Sequence, residues 1–157
     1  MSDFTIPIKP HHFVDIIADY GAGEIAVQPH PYGHAVHTVT ARLLEEPDVV
    51  LEIEPGADAI CAPCIHNLEG ICDDTLDSSL GPEIPHLKRD LNQLLDERWC
   101  ERLGLKRGDT LTAREMCQRI ASRGYDIAGI YREMRPDIGE EKAHNLKLGV
   151  KKYLALG

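Results

Sequence analysis

Three cysteines in twelve residues mark the stretch of this chain best suited to chemistry. The segment D-A-I-C-A-P-C-I-H-N-L-E-G-I-C-D-D, Asp58 to Asp74, holds Cys61, Cys64 and Cys72 in a C-x2-C-x7-C pattern, with His66 between them. Thiolates at this short spacing reach one metal centre from a single turn of loop, and a third closes most of the shell if the loop folds back. The surrounding glycine, proline and charged residues do not resemble the apolar run that buries an inert cysteine. Three thiolates leave one ligand to be supplied. For zinc the candidates are His66, His12 or His11. The spacing is not the C-x2-C-x2-C run of bacterial ferredoxins, but a 4Fe-4S cubane held by three cysteines would leave one iron with an exchangeable, non-cysteine ligand.

Two histidine groups could join such a site. His11 and His12 precede Asp15 on a first helix, three and four residues apart, so either imidazole can share a face with the carboxylate as ligand, orienting partner or general base. Adjacent residues diverge by about 100° on a helix, so the two rings are not expected on one ion. In P-H-P-Y-G-H-A-V-H, His34 and His37 lie one turn apart, with His30 as a third donor for a second metal or a substrate-binding edge. The remaining cysteines read differently. Cys117 belongs to the apolar stripe Ala113, Met116, Cys117, Ile120, and Cys100 flanks Trp99 on a long helix, so both are assigned to packing.

The elements that must position these residues follow from periodicity. Phe4–Ile8 alternates as a short strand, and Pro7 places it at a sheet edge. Pro10 suits a helix start, and Phe13, Ile16, Ile17 and Tyr20 give the inward face of a helix ending near Gly21-Ala22-Gly23. A second helix is expected from His34 to Glu46, with Val36, Val39, Leu43 and Leu44 inward. Val49–Ile53 is the best strand, pairs with residues 4–8, and launches the cysteine loop. Leu76–Pro85 has linker composition. Leu87, Leu91, Leu94, Leu95, Trp99 and Leu103 mark a long helix stopping at Gly104. Thr112 with Glu115 forms a capping box for the next helix. Asp126 is expected to cap a short helix bearing Ile127, Ile130, Tyr131 and Met134 and ended by Pro136, and a last helix spans about Glu140–Leu156. The fold class expected is α+β and predominantly helical, with a small two-stranded sheet and a cysteine-loop metal site. It is read as a single domain over 1–157, with a site-bearing part at 1–80 and a helical part at 81–157.

Composition narrows the function classes. The chain has 157 residues, enough for one ordinary core. Its formal net charge of −9 argues against nucleic-acid or anionic-membrane binding through the whole surface. Lys142, Lys147, Lys151 and Lys152 form the nearest basic patch and are read as a solvated helix face. No signal peptide or membrane-length apolar run is present, so a cytoplasmic location with reduced cysteines is expected.

The order of motifs resembles the prokaryotic family grouped as domain of unknown function 1284, described as predicted iron–sulfur or metal-binding proteins. Members open with a strand and R-P-H-H-L-L-C, then a G-x-G-Y turn, a helix, a strand, D-D-I-C-x-x-C-P, a glycine with a third cysteine, and an L-G-L-x-x-G element. This chain has K-P-H-H-F-V-D at Lys9–Asp15, G-A-G at Gly21–Gly23, D-A-I-C-A-P-C at Asp58–Cys64, G-I-C at Gly70–Cys72 and L-G-L-K-R-G at Leu103–Gly108. The likeness covers most of residues 4–120. Asp15 stands where the family has a cysteine, and the histidine-rich Pro29–His37 replaces its short turn. The resemblance implies that Asp15 or His12 completes the shell begun by the three cysteines, with Asp15 the harder and more exchangeable ligand. It names no reaction.

Three readings follow. The first is a cytoplasmic iron–sulfur protein with one labile position, acting on a small molecule or with a redox partner protein. The second is a structural zinc-binding domain serving as a protein-interaction module. The third is a metal trafficking or sensing protein that also uses the histidine loop.

Overall fold

Sheet pairing sets the frame on which the cysteine loop is hung. The computed structural model describes residues 5–25 and 28–156. In chain order it has β1 (Ile6–Ile8), α1 (Pro10–Gly21), α2 (Val36–Glu45), β2 (Val50–Ile53), β3 (Asn67–Leu68), β4 (Ile71–Cys72), α3 (Lys88–Leu103), β5 (Thr110–Thr112), α4 (Ala113–Arg123) and α5 (Pro136–Leu154). The architecture is α+β, with five helices and 47% of residues helical. Phe4, placed by its pattern at the start of the first strand, lies outside the described residues.

The main sheet has three strands rather than two, in the order β1-β2-β5. β1 runs parallel to β2, with Ile6 opposite Leu51 and Ile8 opposite Ile53, so a crossover containing α1 and α2 must join them. β5 adds antiparallel to β2, with Leu111 opposite Leu51. The third strand escaped the pattern because its three residues, T-L-T, hold one apolar side chain and run straight into a helix cap. Thr112 Oγ1 accepts from the Glu115 N–H at 3.0 Å, and the Glu115 carboxylate accepts from the Thr112 N–H at 3.3 Å, so the expected capping box is present.

The helical part differs from expectation at one place. Residues 128–133 form successive turns instead of a short helix, although Ile127, Ile130 and Tyr131 are buried as their spacing implied. Arg98 explains part of the change. Its guanidinium donates to the Ile130 carbonyl and bidentately to Glu133, tying the segment to α3. Pro136 then opens α5 instead of ending a helix, because its missing N–H costs nothing in a first turn.

One core contains residues from both halves of the chain, from Ile6 and Phe13 through Trp99 to Leu146 and Tyr153. Its tightest seam is between α1 and α5. A Cβ added at Gly149 would overlap the Ile17 carbonyl, and one at Gly21 would overlap the Asn145 carbonyl, so the two backbones meet where both helices lack side chains. Trp99 is fully buried and donates its indole N–H to the Tyr131 hydroxyl at 3.0 Å. No helix among the described residues is long and apolar enough to cross a membrane.

Candidate metal centre

The cysteine loop leaves the C-terminal end of β2 and returns on itself through a two-stranded hairpin. Its turn, Glu69-Gly70, has positive φ at both residues (53° and 88°), the geometry of a tight two-residue hairpin turn. Asn67 fixes it by accepting from the Gly70 N–H at 2.9 Å. Asn67 pairs with Cys72 across the hairpin, which carries the third cysteine back toward the first two. Cys61, Cys64, Cys72 and His66 all line one cavity of about 540 Å³. Cys117 is fully buried in the core, and Cys100 is half-buried on α3 outside this cavity, as packing residues should be.

Each histidine near the loop is held by its own carboxylate. His66 Nδ1 lies 2.8 Å from Asp73 Oδ1. A carboxylate can only accept, so Nδ1 donates and Nε2 is the atom left with a free lone pair. His12 Nδ1 lies 2.8 Å from Asp58 Oδ2 in the same arrangement. Asp58 also anchors the loop backbone. Its Oδ2 also accepts from the Lys9 N–H at 2.7 Å, and its Oδ1 accepts from the N–H groups of Ile60 and Cys61, each at 3.0 Å. Burial opposes ionisation of Asp58, but its bonds to His12 and the backbone outweigh that and hold its carboxyl down at about 2. Burial lowers the His12 pKa, assisted by neighbouring His11.

His12, Asp58 and Cys61 each offer a ligand atom within 4.8 Å of the others, and Cys64 and Cys72 stand outside this compact group. Burial and the Asp58 charge push the Cys61 thiol up to about 11. Metal capture there must therefore displace a proton.

The other residues singled out by sequence separate in space. His11 keeps its ring 4.5 Å from that of His12 but is bonded to α3, where Asp96 Oδ1 accepts from both its ring Nδ1 at 2.8 Å and its backbone N–H at 2.9 Å. Asp96 is fully buried and its second oxygen has no partner among the described residues. Asp15 is not at the cysteines. Its carboxylate accepts from Lys142 Nζ on α5, and it lines a separate cavity of about 60 Å³ shared with His12 and Tyr20. Asp15, expected from the sequence to complete the cysteine shell, is thus engaged at the α1–α5 seam and does not line the cysteine cavity.

The histidine segment packs on the cysteine loop without forming a second chelate. The Tyr32 carbonyl accepts from the Ile65 N–H at 2.7 Å, and the Tyr32 ring meets His66 edge-on. His30 and His34 stack with centroids 4.1 Å apart and only 23° between planes. Imidazole lone pairs lie in the ring plane, so near-parallel rings aim them side by side rather than at one ion. Each Nδ1 is also occupied by a backbone N–H, from Tyr32 and Val36 respectively. His37 contacts Thr38 instead.

Sequence reasoning missed Asp96, Lys9 and Asn92. Asp96 and Asn92 were readable in principle, as polar residues at stripe positions of α3 shared with Leu95, Trp99 and Leu103. Comparison of the chain with family models, with curated proteins and with solved structures gives no match.

Proposed function

We propose that this protein holds an iron–sulfur cluster or metal ion on Cys61, Cys64 and Cys72, with a labile histidine at the fourth position. The observation that supports this reading is the shared cavity, lined by all three loop cysteines and by His66. His66 is preferred to Asp15 as the non-cysteine ligand, because Asp73 presets its Nε2 as the ligating atom whereas Lys142 occupies Asp15. His12 is the alternative, already beside Cys61. A cubane spreads its ligands over several irons, so a wide cavity suits a cluster better than a single ion does. Bound there, a cluster would supply an exchangeable iron for redox or Lewis-acid work on a small molecule, or electrons for a redox partner protein.

A second reading is favoured by the compact His12–Asp58–Cys61 group, which has single-ion dimensions. Zinc there would organise the loop as a protein-interaction module. Trafficking or sensing through the histidine loop draws less support, since those rings stack rather than converge. Metal and acid-labile sulfide analysis on anaerobically purified protein separates the readings. Brown protein containing iron and sulfide, lost in Cys64→Ser, is expected. Colourless protein with one zinc per chain would overturn the cluster.

A further inference from the structure

Two largely buried residues on the cysteine cavity have side-chain polar ends that make no hydrogen bond or ion pair among the described residues. Lys9 is only 5% exposed and lines the cavity, yet among the described residues its ammonium makes no ion pair or hydrogen bond. Asn92, 7% exposed on α3, also lines the cavity, and its carboxamide has no partner there either. Solvent still reaches both polar ends through the cavity, so each is presented there with hydrogen-bonding capacity left to fill. Two such groups converging on one cavity leave binding capacity that a ligand would satisfy. The cavity, at about 540 Å³, is of small-molecule size.

The surrounding charge decides what kind of ligand. Arg89 stands one turn before Asn92 on the same face of α3 and has no ion pair among the described residues. Arg107 also lines the cavity but is paired with Glu54. Two acids line it as well. Glu97 accepts from Gln93 at 3.0 Å, and Asp90 is exposed in the first turn of α3. The groups left without partners are an ammonium and a guanidinium, which only donate, and a carboxamide, whose NH2 can donate beside them; the two cations match an oxyanion.

We propose that the cysteine cavity binds a small anionic molecule through a carboxylate or phosphate group held by Lys9, Asn92 and Arg89. This rests on the reading of the cavity as the working site and extends it by naming the ligand class. It does not depend on which metal the thiols hold. The arrangement would set the anionic end of the ligand on α3 and β1–α1, leaving its remainder facing Cys61, Cys64 and Cys72.

Calorimetric titration of the anaerobically purified protein with malonate and, separately, with inorganic phosphate tests this, with iron, zinc and sulfide measured on the same samples. Saturable binding of at least one probe is expected, and the tighter one assigns the group as carboxylate or phosphate. Lys9→Met and Arg89→Gln should each weaken that binding at least tenfold while metal content stays at the wild-type level. Arg89 is exposed, so its variant reports even where Lys9→Met does not fold. Failure of both probes to saturate, or wild-type affinity in Arg89→Gln, would overturn the proposal. So would loss of metal in Lys9→Met with anion binding intact in Arg89→Gln, which would make Lys9 a counter-charge for the thiolates. Saturable binding by protein free of metal and sulfide would uphold the anion site and defeat the metal reading.

Discussion

The α1–α5 seam and the cysteine loop are ordered by opposite means. At the seam, Phe13, Ile17, Leu146, Val150 and Tyr153 are exposed by no more than 1%, and two glycines let the helix backbones touch. In the loop, Ile65, Leu68 and Ile71 are 63%, 56% and 56% exposed, and order comes from Asp58, a two-residue turn and the His66–Asp73 bond. A segment that buries so little apolar surface has little hydrophobic free energy to offset the entropy of ordering it. That is the balance expected where a bound group contributes to local stability. α1 joins the two regimes. One face enters the core, Asp15 closes the seam with Lys142, and His11 and His12 at its start reach Asp96 and Asp58.

The contrast can be broken from the seam first. Gly149→Ala would force a methyl group into the Ile17 carbonyl and should cost roughly 3 kcal/mol or more, lowering the midpoint of urea unfolding. A near-neutral result would mean that the helices separate easily and that the seam is not the rigid half. In the loop, Asp58→Ala removes the acceptor for three backbone N–H groups and for His12. A loss of about 2 kcal/mol is expected. Nitrogen NMR should at the same time show that His12 no longer holds its proton on Nδ1. An unchanged tautomer would show that Asp58 does not orient the ring.

The Arg98–Glu133 pair, which secures the turns at 128–133, offers a pH test on the helical side. Its hydrogen bond to Arg98 holds the Glu133 carboxyl below its ordinary 4.5. The stabilisation is therefore complete above about pH 4.5 and is lost as pH falls through the lowered folded value. Glu133→Gln should cost about 1 kcal/mol at neutral pH, and the gap to wild type should close in acid. A gap that persists in acid would assign the loss to packing. The smallest effect is expected at the junction. Asp15→Asn should cost about 0.5 kcal/mol, because the pair with Lys142 is part-exposed, and should leave metal content unchanged. Loss of metal in that variant would return Asp15 to the ligand set.

Much of the frame was legible. Strong periodicity placed α1, α2, α3 and α4, because each repeats apolar residues over several turns. The same signal misled at Ile127–Met134, where burial of Ile127, Ile130 and Tyr131 is real but turns tied to Arg98 provide it. β5 and the β3–β4 hairpin were missed because two- and three-residue strands have no period to read. At the site, residue types drew attention to the cysteines and histidines, but carboxylate partners 46 and 85 residues away leave no local trace.

The sequence by itself determined which residue types stand close enough along the chain to be candidate ligands: three thiols in a short loop, a histidine between them, and a paired histidine at a helix start. Their chemistry is a property of residue type and spacing. Tertiary structure alone decided which groups meet. It gave Asp15 to Lys142, stacked His30 on His34, and brought Lys9 and Asn92 to the cavity of the cysteines. Those outcomes depend on how α1, α3 and α5 pack around one core, and that packing is fixed by contacts between residues far apart in the chain.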